Sequence, residues 1–258
     1  MTKCCVDNGI DWIVHQAGIL SVQGEQNHVV AQNVNLNGLR NALDVAQKLN
    51  LRIFAPSTIA VFGPASGKVM TPDDTKLCPT TVYGITKVFL EQLGNYYHTK
   101  FGVDFRCLRL PGIISHNTTG RGTTDYAVFM YHQSVKKDKV FKCGVNANEL
   151  LPMMYMPDCL DAIINFLECP QSRLTRRVYN VQGMSFSPSQ LQASIQKHVP
   201  DLEVRHEPDL LQSIASSWPD TIDDSNARKD WGWNPKFDLE SMTADMLLQL
   251  TARKHVAF

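Results

Sequence analysis

Arg52-Ile53-Phe54-Ala55-Pro56-Ser57-Thr58 is the stretch on which the fold turns. A compact apolar run, stopped by a proline that cannot donate to a sheet ladder, reads as a buried strand that ends by presenting two hydroxyls. Downstream, residues 82–99 carry a helix that Gly102 is placed to stop, and Asp104-Phe105-Arg106-Cys107-Leu108-Arg109 forms another strand, ended by Pro111-Gly112. Upstream, Val30, Val34, Leu39, Leu43 and Ala46 recur on one face of a helix over 29–49. Before it, Asp11-Trp12-Ile13-Val14-His15 is a short buried strand that turns at Gln16-Ala17-Gly18. This strand–helix alternation predicts right-handed crossovers and a Rossmann-like, doubly wound parallel α/β sheet. Ligands of such sheets sit outside the carboxyl ends of the strands, so the turns at 15–18, 57–58 and 111–115 should share one rim.

After Gly112 the texture changes. Residues 115–124, rich in Ser, Thr, Gly and Asn, read as a long loop over that rim. Shorter elements follow: a helix over 158–168, a strand over 178–181, a helix opened by Pro188 with Ser187 as its cap, and closing helices over 223–231 and 239–253. The chain thus divides into residues 1–115, which hold the sheet and its rim, and residues 116–258, a small α/β lobe interleaved with the last sheet strands.

With 25 basic and 25 acidic side chains among 258 residues, nothing in the charge favours nucleic acid or an anionic membrane as partner. No apolar run approaches the roughly 20 residues that span a bilayer. Seven irregularly spaced cysteines read as free thiols of a reducing compartment, and Cys4-Cys5 lacks the spacing of a zinc site. Asn117-Thr118-Thr119 matches a glycosylation sequon by chance. The chain opens without a signal-peptide or presequence pattern.

The chemistry concentrates in Tyr83-Gly84-Ile85-Thr86-Lys87. Residues four apart project from one helix face, which sets a phenol beside an ammonium. A phenol titrates near 10, too high for a base at neutral pH, and a nearby cation favours the phenolate. Lowering it by about three units takes on the order of 4 kcal/mol, within reach of two cations in a water-poor cleft. Such a tyrosine can take the proton of an alcohol while hydride leaves the same carbon. Ser57 and Thr58, just past a strand, can hydrogen-bond the substrate oxygen, or simply cap a turn. Gly63-Pro64-Ala65-Ser66-Gly67-Lys68 evokes a phosphate loop but is one residue short, has Val69 where Ser or Thr is required, and precedes no helix pattern.

Together these residues resemble the extended short-chain dehydrogenase/reductase family, and most closely its NAD-dependent L-threonine 3-dehydrogenases. The resemblance runs through His15-Gln16-Ala17, Asn33-Val34-Asn35-Leu36-Asn37-Gly38, Pro56 to Gly63, the Tyr83 to Lys87 motif and Pro111-Gly112-Ile113-Ile114-Ser115. It continues in Gly122-Thr123-Thr124-Asp125-Tyr126-Ala127, in Leu151-Pro152-Met153-Met154-Tyr155 and from Asp223 to Trp233. It implies an NAD-binding Rossmann domain carrying the catalytic residues, followed by a substrate lobe. It implies Tyr83 as base for the threonine 3-hydroxyl, with Lys87 holding the nicotinamide ribose and depressing the phenol. Ser57 or Thr58 would orient the hydroxyl, Asn35 would support a proton path through water, and Ile113 and Ala17 would touch the cofactor. Ser21, Thr123, Thr124 and Trp218 match substrate-contact positions, and Arg121 could meet the carboxylate. Trp231 and Trp233 read as packing, and Asp223-Asp224 as a helix N-terminus rather than a metal site. No metal is implied. The resemblance further implies L-threonine as substrate, a homodimer through the helices over 29–49 and 82–99, and a mitochondrial address.

The family opens with a strand, a Gly-x-x-Gly-x-x-Gly turn and a helix that cradle the pyrophosphate. This chain begins after them, with residues 12–15 matching the fourth strand of the family order. The expectation is an apolar strand left at the sheet edge, weak NAD binding, low activity and, if the shortening is genuine, a cytoplasmic address. Two other readings compete. One is another extended reductase acting on a nucleotide sugar, against which the 122–127 and 223–233 motifs argue. The other is a catalytically inactive fragment or a partner-binding module.

Overall fold

The computed structural model describes residues 1–117 and 122–254. Arg121, the end of the sequon and the middle of the 115–124 loop lie outside the described residues. After α1 (Thr2–Asp7), the chain forms β1 (Trp12–Val14), α2 (Ser21–Gln26), α3 (His28–Gln32) and α4 (Gly38–Leu49). Next come β2 (Arg52–Phe54), β3 (Ser57–Thr58), α5 (Val82–Phe101), β4 (Phe105–Leu110), β5 (Gly112–Ile114) and α6 (Tyr126–Ser134). The remainder holds β6 (Val140–Cys143), β7 (Leu151–Tyr155), α7 (Met156–Glu168), β8 (Val178–Asn180), β9 (Met184–Phe186) and α8 (Pro188–Gln196). It closes with β10 (Glu203–His206), α9 (Leu210–Ala215), α10 (Ser225–Trp231) and α11 (Leu239–Lys254).

The main sheet runs β1-β2-β4-β3, with β8 also paired to β4, and every pairing in it is parallel. Apolar residues of α4 and α5, among them Leu39, Leu43, Leu90 and Tyr97, pack with Ile53, Phe105 and Cys107 in one core. Cys159, Phe166 and Trp231 of α7 and α10 pack with Phe54, Leu108 and Tyr179 in another. Alternate side chains of each strand therefore feed opposite cores, as a doubly wound sheet requires. Trp231 and Trp233 are buried in the second core, and Trp233 donates its ring N–H to Asp224. Asp223 accepts from the Ser225 N–H at the head of α10.

Helix signals in the sequence hold where capping chemistry is local. Thr81 accepts from the Gly84 N–H to start α5, and Gly102 ends it in the left-handed region at φ 73°. Ser187 and Gln190 form a reciprocal capping box at α8. The helix expected over 29–49 is instead α3 and α4 joined by a π-helical turn, Asn33–Asn37. That wide turn carries Asn35, whose Oδ1 accepts from the Ile19 N–H at 2.8 Å and whose amide donates to Ile19 O and to Thr86 Oγ1. A side chain tied to two other segments accounts for an insertion that periodicity does not show.

The second half holds two small sheets that the sequence pattern does not reveal. In one, β7 lies between β5 (parallel) and β9 (antiparallel), and in the other β10 pairs β6 in parallel. Leu151-Pro152-Met153-Met154-Tyr155 is buried along its whole length, so it shows no alternation, and its proline argues locally against a strand.

Among the described residues β1 pairs only with β2 and lies at the sheet edge, with Val14 46% exposed. An apolar edge is a template for association. Val14→Lys is expected to reduce concentration-dependent light scattering of the purified chain, with stability changed by no more than about 0.5 kcal/mol.

Candidate active site

Three strand ends and one helix build the site. β3 ends in Ser57-Thr58, β4 leads through Leu110 and Pro111 into β5, and β1 leads into Gln16 to Gly18. Helix α5 crosses behind β3 and carries Tyr83 and Lys87 toward the same point. The cavity they enclose, about 260 Å³, is lined by Gln16, Gly18, Ser21, Ser57, Thr58, Tyr83, Lys87, Ile113, Thr123, Thr124, Asp125 and Trp218, among others. Nine of the twelve residues singled out from the sequence thus line one cavity. Ala17, exposed between Gln16 and Gly18, and Asn35 are not among its lining residues, and Arg121 lies outside the described residues.

Close approach of α5 to the rim depends on Gly84. A Cβ there would lie 2.1 Å from the Ala60 carbonyl oxygen and 2.6 Å from Pro79 Cβ, so only glycine lets the helix start against the turn Ile59–Val61. Thr86 also has a fixed task. Its hydroxyl donates to Tyr83 O and accepts from Asn35, which ties the catalytic turn to the π turn. Both Asn35 amide hydrogens are committed in this way, so the residue acts here as a tether for the 15–20 loop.

Burial pushes the Tyr83 phenol up to about 12, and a hydrogen bond with Thr58 opposes the rise. Lys87 lies 5.7 Å from the Tyr83 ring centroid and donates to the Pro56 carbonyl at 2.5 Å. Burial brings its ammonium down to about 8, against the pull of the Glu91 carboxylate. In the protein alone, desolvation of the phenol therefore outweighs the hydrogen bond that opposes it. Thr58→Val is expected to raise the Tyr83 titration further, read as the phenolate difference spectrum against Tyr83→Phe. An unchanged titration would separate Thr58 from the phenol.

Ser57 and Thr58 are not equivalent. Ser57 is buried and donates to Glu91 Oε1 at 2.5 Å. Thr58 is partly exposed to the cavity, accepts from the Ala60 N–H at 3.2 Å and bonds the phenol. At the far wall, Ser21 and Thr123 hydroxyls lie 3.4 Å apart. Asp125 also faces the cavity. It accepts from the Gly122 N–H, and burial raises its carboxyl. Leu20, Ile59 and Asp125 were not distinguished by sequence, because each sits in a turn whose course is set by tertiary packing.

Gly63 to Lys68 holds no phosphate-loop geometry. Lys68 donates to the Trp218 carbonyl at 2.7 Å and faces Asp220 and Glu149, so the loop is a strap behind the Trp218 wall. A larger cleft of about 720 Å³ is lined by Glu91, Arg109, Asp73, Asp74 and Arg176, whose charges pair with one another. Ser57, Thr58, Tyr83 and Lys87 are not among its lining residues.

The residues present fit the nicotinamide end of a dinucleotide. Leu110, Pro111 and Ile113 give an apolar wall for a flat ring, and Lys87 supplies a buried cation for its ribose diol.

The NAD dependent epimerase/dehydratase family matches residues 1–181. Mitochondrial L-threonine 3-dehydrogenase of Bos taurus is 48% identical over 249 residues, covering 96% of this chain and 66% of the bovine protein. The crystal structure of L-threonine dehydrogenase from Phytophthora infestans superposes with a TM-score of 0.96 at 49% identity, covering 98% of this chain and 82% of that one. A protein described as a monomeric L-threonine 3-dehydrogenase from a metagenome superposes at 0.94 with 44% identity, covering 98% and 82%. The chain therefore belongs to the NAD dependent epimerase/dehydratase family, among its L-threonine 3-dehydrogenases.

Proposed function

We propose that this protein oxidises the 3-hydroxyl of L-threonine with NAD, giving 2-amino-3-ketobutyrate. The observation that carries the reading is convergence. Tyr83, Lys87 and Thr58 share one small cavity with Ser21, Thr123, Thr124 and Trp218, residues from both halves of the chain. Because the chain spans about two thirds of the bovine relative, activity of the whole protein is part of the proposal.

NAD, when bound, would supply the hydride acceptor and a positive charge that favours the phenolate of Tyr83. Tyr83 takes the proton of the 3-hydroxyl, Thr58 holds that oxygen in line, and Lys87 supports the phenolate and the ribose. Leu110, Pro111 and Ile113 exclude water from one face, while Trp218 closes the other. Hydroxyls of Ser21, Thr123 and Thr124, with the Asp125 carboxylate, offer the polar partners that a zwitterion needs. In this reading residues 1–115 carry catalysis and residues 116–258 mainly bind substrate. A homodimer would bury the exposed Val29, Val30, Ile85, Phe89 and Tyr96 on α3 and α5. The mitochondrial address is inferred from the bovine relative.

NADH formation at 340 nm, with L-threonine compared with L-serine and a nucleotide diphosphate sugar, tests the reading. Threonine-dependent reduction is expected. A melting temperature raised by the nucleotide sugar, with no reduction by threonine, would move the protein to the epimerase side of the family.

A further inference from the structure

Tyr83, Lys87 and Glu91 follow one another at four-residue spacing, so a carboxylate extends the catalytic face of α5 by one more turn. Glu91 is 1% exposed, among the most buried acids of the chain. Its Oε1 accepts from Ser57 Oγ at 2.5 Å and from Arg109 Nε at 2.9 Å, while Oε2 accepts from Arg109 Nη2 at 2.8 Å. Arg109 in turn donates to the Asp73 carbonyl and to Asn180 Oδ1, which anchors the pair to β8 and to the 71–74 loop. A structural ion pair needs only the arginine. The third bond goes to a side chain that lines the catalytic cavity.

A serine hydroxyl has one hydrogen and two lone pairs. With its hydrogen committed to a carboxylate, Ser57 meets a ligand only as an acceptor, and the charged partner makes that oxygen more electron-rich. Thr58 is left as the hydroxyl that bonds the phenol. We propose that Glu91 is a positioning residue of this site, one that turns Ser57 into an acceptor for the substrate ammonium. Its carboxylate, one helical turn from Lys87, also favours the ammonium form of that side chain. The proposal rests on the alcohol-oxidising reading above and assigns Ser57 and Thr58 different tasks within it.

Charged and titratable groups face Glu91 from every side. Arg109 and Cys107 come from β4, Ser57 from β3, Lys87 from the same helix, and Asp73 lies beyond Arg109. Burial pushes the Cys107 thiol up, so it stays neutral, and Arg109 stays charged. Lys87 is the member of this set that titrates near the working range, and the Glu91 carboxylate holds it up.

Three variants test the assignment in the full chain: Glu91→Gln, Ser57→Ala and the double substitution. Each single change is expected to lower kcat for threonine about tenfold, and the double variant should fall no further than Glu91→Gln, because one unit has been removed twice. Additive losses would overturn the proposal. A second readout does not need turnover. The Lys87 Nζ titration, followed by nitrogen-15 NMR, should move down by about one pH unit in Glu91→Gln, and an unmoved titration would overturn the claim on Lys87. If threonine is not oxidised by the unmodified protein while that titration still moves, the substrate reading fails and the positioning role stands. Should Glu91→Gln not fold, the unmodified protein decides. Ser57 held on Glu91 gives a slowly exchanging hydroxyl proton resonance that Ser57→Ala removes, and its absence would overturn the proposal.

Discussion

Tyr83→Phe is expected to lower threonine-dependent NAD reduction by about 10²–10⁴-fold, the range that a positioned acid or base contributes. The substitution removes one oxygen and leaves the ring, so the packing of Tyr83 against the main core persists. Thermal stability should hold, because the interaction of the phenol that the change removes is the hydrogen bond with Thr58. The pH profile carries the sharper signal. A base must be deprotonated, so kcat/KM should rise with pH along the Tyr83 titration. Burial holds that titration near 12 in the protein alone, and a positive ring bound beside it moves the rise to lower pH. Above the Lys87 titration, brought by burial to about 8, the supporting ammonium is lost and the rise is cut off. Tyr83→Phe should abolish the rising limb as well as the rate. Retention of that limb in the variant would remove Tyr83 from the role of base.

Arg109→Met is expected to destabilise the protein by about 3–5 kcal/mol, the cost of leaving a buried carboxylate without its cation. Glu91 would lose two of its three bonds, and the Asp73 carbonyl and Asn180 Oδ1 would each lose a donor. Arg109→Lys should recover only part of this, since an ammonium cannot make the two parallel bonds that the guanidinium makes with Glu91. Urea unfolding followed by circular dichroism measures both variants on one scale. A loss below about 1 kcal/mol for Arg109→Met would show that the pair does not hold this part of the fold.

The cavity-lining side of α5 was legible because its logic is local. Helical spacing puts Tyr83 and Lys87 on one side of α5, Pro56 ends a strand before Ser57-Thr58, and Pro111-Gly112 ends another. Since parallel strands point the same way, their polar ends had to meet on one rim. Glu91 was missed although it continues the same four-residue series, because its importance lies in Ser57 and Arg109, which are distant in sequence. Gly84 and Thr86 inside the motif likewise owe their identity to Ala60 and Asn35.

The sequence by itself determined the doubly wound sheet, the helices that start and stop on local caps, and the side chains offered to the cavity. Hydrophobic periodicity, prolines and capping residues act over a few neighbours, and such signals survive in a linear chain. Tertiary structure alone decided the π turn at Asn33–Asn37, the two small sheets of the second half and the division of labour between Ser57 and Thr58. Each depends on a partner far along the chain: Ile19 and Thr86 for Asn35, β5 and β9 for β7, and Glu91 for Ser57. A hydroxyl can donate or accept, and only the group across the fold settles which.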